Sequence, residues 1–261
     1  MLKRFFFSLW TLFIVALSPG FAQGPESPDQ WDLVFVDEFD GEKLDYSKWT
    51  PRDPWEVVRN DELQAYIVKA FQVQEGILKI ICEDEPAFYD GAKRDYRSGM
   101  MTTSGKFSQR YGRFEIRCQV PKGRGLWPAF WLLPDPPAWP PEIDILEILC
   151  QETDKVYLTN HWVNPADPGG GSLSVTEEFQ GVDFADGFHT IAIEWEKGEI
   201  RWYVDGTQRF RSRTGVPDVP MFVMVNLAVG GWAGSPDAST RFPAEYRVDY
   251  IKVWKKKSSG E

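Results

Sequence analysis

The sequence predicts an all-β fold, a sandwich or barrel of short strands. Three observations carry that expectation. Aromatic residues make up 15% of the 261 residues, and tryptophan alone occurs 12 times; flat, bulky side chains of this kind favour pleated, half-buried surfaces. Short β-type runs recur between clusters of Gly, Pro, Asn and Asp. After residue 22, no stretch keeps a 3.6-residue period long enough to force a helix.

The elements follow in chain order. The opening MLKRFFFSLWTLFIVALSPGFAQG has basic Lys3 and Arg4, a thirteen-residue apolar run from Phe5 to Leu17, and small residues before Gln23. That is the layout of a secretory signal cleaved after Ala22, and the apolar run is short of the ~20 residues a spanning helix needs. The expectation is a secreted or periplasmic protein, off the membrane once residues 1–22 are removed. Residues 23–261 show no repeat and no dividing linker, so they read as one domain. Strands are expected at Gly76 to Glu83, Tyr111 to Val120, Met221 to Val229 and Arg247 to Trp254. Thr190 to Trp195 and Ile200 to Val204 form a hairpin around Gly198, and Asp205-Gly206 offers a second tight turn. Pro134 to Pro141 is a Pro-rich approach that cannot lie inside a sheet ladder, so the next strand begins near Glu142. Asn164 to Ser172 reads as a surface loop.

Charge and cysteine content exclude some functions. The formal charge of -10 becomes -12 without Lys3 and Arg4. Apart from Lys255-Lys256-Lys257 there is no basic cluster, so nucleic acid is not an expected partner. Cys82, Cys118 and Cys150 lack CxxC spacing, which leaves a zinc site unsupported. Each lies in an apolar run and is expected as a buried thiol, with one bridge still open to an exported chain.

The run Pro141-Glu142-Ile143-Asp144-Ile145-Leu146-Glu147-Ile148 carries the chemistry. Strict alternation would put Glu142 and Asp144 on one face and Glu147 on the other. A β-bulge near Ile145-Leu146 would re-aim Glu147, so that three acids share one face of a strand otherwise apolar. Carboxylates there are costly unless they are hydrogen-bonded, paired or used. Two Glu side chains across a groove suit glycosidic bond cleavage, one attacking the anomeric carbon and the other donating a proton.

With these residues the chain resembles glycoside hydrolase family 16, laminarinase-type, whose active strand reads ExDxxE. The similarity also runs through Val36 to Gly41, Asn60 to Gln64, Tyr111 to Glu115, Gly125 to Leu133, Phe188 to Thr190, Trp202 to Gly206, Asn226 to Trp232 and Val248 to Tyr250. The resemblance implies a β-jelly-roll sandwich of two antiparallel sheets with an open concave cleft. It implies a retaining, endo-acting hydrolase of β-1,3-glucan or mixed-linkage β-1,3(4)-glucan, expected as a monomer acting on polysaccharide. By position, Glu142 matches the nucleophile, Glu147 the acid/base and Asp144 the acid that tunes the nucleophile, with His161 in support near the acid/base and His189 structural. Asn60, Trp127, Trp131 and Trp232 match substrate-binding positions, although core packing would also explain Trp127 and Trp131, and turn chemistry Asn60 and Trp232. No cofactor is implied for catalysis. A structural calcium is implied at Glu38, the Gly76 carbonyl and Asp249; Glu38 and Asp249 otherwise read as ordinary surface acids.

One departure bears on substrate. Laminarinase-type chains often carry Arg where this one has Met100, and Arg97 sits on the opposite face of a strand. Two rivals stand beside the glucanase reading. A galactan hydrolase of agarase or carrageenase type shares the bulged strand; a non-catalytic glucan-binding jelly roll would lack one or both glutamates.

Overall fold

The computed structural model describes residues 25, 27–167 and 169–257; the expected signal segment lies outside them. In chain order the strands are β1 (Trp31–Asp37), β2 (Gln64–Tyr66), β3 (Phe71–Gln74), β4 (Ile77–Cys82), β5 (Ala87–Tyr89), β6 (Ala92–Arg94), β7 (Tyr96–Ser98), β8 (Met100–Thr102) and β9 (Gly112–Gln119). They continue with β10 (Leu126–Pro134), β11 (Glu142–Glu147), β12 (Lys155–Val163), β13 (Ser172–Gln180), β14 (His189–Glu196), β15 (Glu199–Val204), β16 (Thr207–Ser212), β17 (Met221–Val229) and β18 (Ala244–Lys256). Helical structure among the described residues is confined to three-residue 3-10 turns.

Two sheets form the jelly-roll sandwich. One runs β16-β15-β14-β9-β18-β4-β3, and β1 pairs with the far end of the long β18. The other runs β13-β12-β11-β10-β17-β8, every neighbour antiparallel. Period-2 alternation explains which residues meet between them. On β9, Phe114, Ile116 and Cys118 turn inward, and on β17, Val223, Val225, Leu227 and Val229 do so. Trp195, Trp202 and Trp49 are fully buried in the same core. Burying side chains of this size contributes about 2–3 kcal/mol each, and this is the main force holding the sheets together.

The expected hairpin is β14-β15 and the Asp205-Gly206 turn joins β15 to β16. The last strand is longer than the sequence suggested, because its two halves serve different partners: Ala244 to Val248 pair with β4, and Ile251 to Lys256 with β1. Cys82, Cys118 and Cys150 are buried free thiols. Burial pushes the Cys82 and Cys118 thiols up to about 12.

Candidate active site

The middle of the second sheet is its floor. Along β11, Glu142 pairs with His161 and Asp144 with Thr159, but the register slips between Asp144 and Glu147, which faces Tyr157. On the other side Trp131 faces Asp144 and Phe130 faces Leu146, leaving Ile145 as the extra residue. Consecutive Ile145 and Leu146 both sit fully buried in the core. Two neighbouring side chains on one face is the signature of a bulge, and it returns Glu147 to the face of Glu142 and Asp144. A tryptophan of the facing sheet holds the irregular stretch: Trp202 Nε1 donates to the Asp144 carbonyl at 2.9 Å.

Glu142, Asp144, Glu147 and His161 line one cleft of about 790 Å³. Asp144 is the most enclosed, its side chain 4% exposed against 15% for Glu142 and 25% for His161. His161 Nε2 lies 3.2 Å from Asp144 Oδ2 and 3.6 Å from Glu142 Oε1. The imidazole therefore faces Glu142 and Asp144, whereas the resemblance suggested a place near the acid/base. Burial, then the neighbouring Asp144, raises the Glu142 carboxyl well above its ordinary value, and His161 opposes this. Burial and Glu147 raise Asp144 in the same way. Burial and Glu142 push Glu147 up to about 8, although Trp127 Nε1 donates to its Oε1 at 3.1 Å. Three acids this close cannot all ionise at neutral pH, so the cluster keeps a proton.

The four expected substrate-binding residues all line this cleft. Trp127 and Trp131 lie on β10 with Ala129 and Leu133, one side chain in two facing the cleft, while Phe130 and Leu132 enter the core. Trp127 meets Trp232 edge-on, ring centroids 5.6 Å apart, and Trp232 is 48% exposed. Its turn depends on glycine. Gly230 and Gly231 have φ of 87° and 54°, and a Cβ there would come within 2.5 Å of Leu63 and of the Asn60 carbonyl. The same close approach fixes Asn60 beside Trp232.

The sequence did not single out Trp139, Glu62, Tyr66 or Asn226, which also line the cleft. Trp131 Nε1 donates to Asn226 Oδ1 at 2.8 Å, Asn226 Nδ2 to the Tyr66 hydroxyl at 3.1 Å, and that hydroxyl to Glu62 Oε2 at 3.1 Å. The chain of bonds fixes the plane of the Trp131 ring. Glu62 and Asn226 sat inside matched segments, but only the folded structure shows that the Tyr66 hydroxyl joins them. Trp139, 53% exposed between prolines, lies 6.4 Å from the His161 ring; an exposed aromatic in a stiff loop was the available signal. Met100 is buried on the floor opposite Asn226, and Arg97 is committed to Glu83 at 2.6 Å and Glu85 at 2.8 Å. His189 Nδ1 meets Asp205 Oδ2 at 2.8 Å, away from the cleft.

The expected calcium ligands do not fit as a side-chain set. The Glu38 carboxylate pairs with Lys252 Nζ at 2.7 Å, and Asp249 is taken by Arg117. The Glu38 carbonyl does lie beside Gly76, 4.0 Å from where a Cβ would sit. Charges already paired with Lys and Arg have to be released before they can ligate a cation.

Comparison with known proteins follows the same lines. The family described as Glycosyl hydrolases family 16 matches residues 61–252, which contain the bulged strand and the cleft residues Trp127, Trp131 and Trp232. An endo-1,3-1,4-beta-glycanase of Rhizobium meliloti (strain 1021) is 36% identical over 79% of this chain and 46% of its own length. This chain thus spans about half of that relative. A beta-glucanase of Rhodothermus marinus is 38% identical over 86% of this chain and 85% of its own length. The solved catalytic domain of an endo-1,3-beta-glucanase (laminarinase) from Thermotoga petrophila RKU-1 superposes with a TM-score of 0.77 at 37% identity, covering 87% of this chain and 99% of that one. Sequence and architecture agree over the region that builds the cleft, and the chain belongs to glycosyl hydrolases family 16.

Proposed function

We propose that the chain is an exported, retaining endo-glucanase that cleaves β-1,3-glucan or mixed-linkage β-1,3(4)-glucan. The observation that carries this is the bulge, which gathers Glu142, Asp144 and Glu147 on the floor of an open, tryptophan-walled cleft. Glu142 attacks the anomeric carbon from below while Glu147, with its carboxyl near 8, still holds a proton at neutral pH and gives it to the leaving oxygen. A glycosyl-enzyme ester forms and the leaving sugar departs as an alcohol. Glu147, now a carboxylate, takes a proton from water, whose oxygen attacks the anomeric carbon, breaks its bond to Glu142 and frees that carboxylate with net retention of configuration. Asp144 shares a proton with Glu142, and His161 favours the ionised nucleophile. Trp127, Trp131 and Trp232 offer flat faces to the axial C–H groups of the sugar rings. Two carboxylates carry the whole cycle, so no cofactor enters it.

The relatives named above support a β-glucan as substrate. The chain acts as a monomer, off the membrane, after cleavage behind Ala22. Calcium at Glu38, the Gly76 carbonyl and Asp249 would take the two carboxylates once Lys252 and Arg117 yield them; a melting temperature unmoved by added calcium overturns it. The deciding experiment for the activity is reducing-end release from laminarin, lichenan, agarose and carrageenan, with binding to each measured in parallel. Release from laminarin and lichenan is expected. Release from the galactans alone would move the assignment to the galactanase type, and binding without release would make the chain a glucan-binding protein.

A further inference from the structure

We propose that Glu142 Oε1, Asp144 Oδ2 and His161 Nε2 form a transition-metal site of the kind zinc takes, and that the ion excludes substrate from the cleft. One ligand atom from each of the three residues lies within 4.8 Å of the other two. Ligand atoms about 2.0–2.1 Å from a tetrahedral zinc ion stand ~3.4 Å apart. The separations from His161 Nε2, 3.2 Å to Asp144 and 3.6 Å to Glu142, bracket that value.

A second observation points to a ligand. Asp144 is 3% exposed, and its Oδ2 is buried without a hydrogen-bond partner among the described residues. A buried carboxylate oxygen left in this state is costly, and a cation between it and the imidazole would satisfy it. The donors are also preorganised, since Glu142 and His161 are directly paired across β11 and β12. No lysine or arginine pairs with either acid among the described residues. One nitrogen and two carboxylate oxygens, with a fourth position open to the cleft, suit zinc or copper, whereas calcium and magnesium require more oxygen ligands. Binding stands on this geometry alone; inhibition rests also on Glu142 being the nucleophile proposed above.

The chain's two histidines make the test selective. Zinc chloride is titrated into the intact protein by calorimetry, and the imidazole resonances of both histidines are followed. One equivalent should bind and shift His161 while leaving His189, already held by Asp205, in place. Affinity should fall by roughly tenfold or more in His161→Gln and Asp144→Asn, stay unchanged in His189→Gln, and resist competition by magnesium. An unmoved His161 resonance, or wild-type affinity in a folded His161→Gln chain, overturns the proposal; the resonance needs no variant to fold. Zinc should also raise KM without lowering kcat on whichever polysaccharide is cleaved. If none is cleaved, the hydrolase assignment fails while the calorimetric result still decides the metal site.

Discussion

Both sheets of the sandwich bury carboxylates, and they treat them in opposite ways. On the outer sheet Glu194 is fully buried, accepts a hydrogen bond from the Tyr203 hydroxyl at 2.7 Å, and faces Arg113 and Arg201, each at 3.1 Å. Beside it Glu199 holds Arg201 at 3.1 Å and Arg213 at 2.7 Å, together with Arg211. On the concave sheet Glu142, Asp144 and Glu147 face one another, a histidine and an indole N–H. A cation beside a buried acid balances its charge and makes it structural; withholding the cation leaves a group that can hold and release a proton.

Removing an acid from each set gives the sharpest contrast. Glu142→Gln and Glu147→Gln should each lower turnover by about 10⁴-fold, with near-native circular dichroism; retained activity in Glu142→Gln would sink the nucleophile assignment. Glu194→Gln should do the reverse. It takes one buried counter-charge from Arg113 and Arg201, which keep Glu115 and Glu199, and should cost about 1–3 kcal/mol in urea unfolding, while activity per folded molecule is kept.

Titration separates the sheets further. Glu147 has a folded value near 8 against an ordinary 4.5, so the native state binds its proton more tightly than the unfolded chain. Its contribution to stability is complete below about 4.5 and is lost as pH rises toward 8. The kcat/KM profile should fall above about pH 8 as the acid loses its proton. Glu147→Gln should melt above wild type at pH 8.5 and near it at pH 4.5, and equal melting at both would show that Glu147 is not held protonated. The smallest effect lies where the sheets touch. Trp202→Phe removes the donor to the Asp144 carbonyl and should cost about 1 kcal/mol, together with a measurable drop in kcat if that bond holds the bulge.

Legibility in the sequence followed the range of the interaction. The hairpin around Gly198, the strand Met221–Val229 and the start of β11 near Glu142 were readable, because alternation, turn residues and proline act over a few positions. The bulge was readable for the same reason, since apolar Ile145 and Leu146 have to occupy one face. The partners of Trp131 were not, because Asn226 and Tyr66 arrive from strands 95 and 160 positions apart along their respective bonds. The calcium set shows the converse limit: position identified Glu38 and Asp249, but Lys252 and Arg117 already hold their carboxylates.

By itself, then, the sequence determined an all-β chain, the face on which its three acids lie, and the tryptophans able to wall a groove. Those properties follow from side-chain period, turn chemistry and one inserted residue. Only the tertiary structure decided which acids would meet a cation and which would not. His161 came to lie against Asp144 through strand pairing, and Trp202 reached the bulge from the opposite sheet. Charge state in a buried cluster depends on every group within a few ångströms, and such neighbours are set by packing between distant segments.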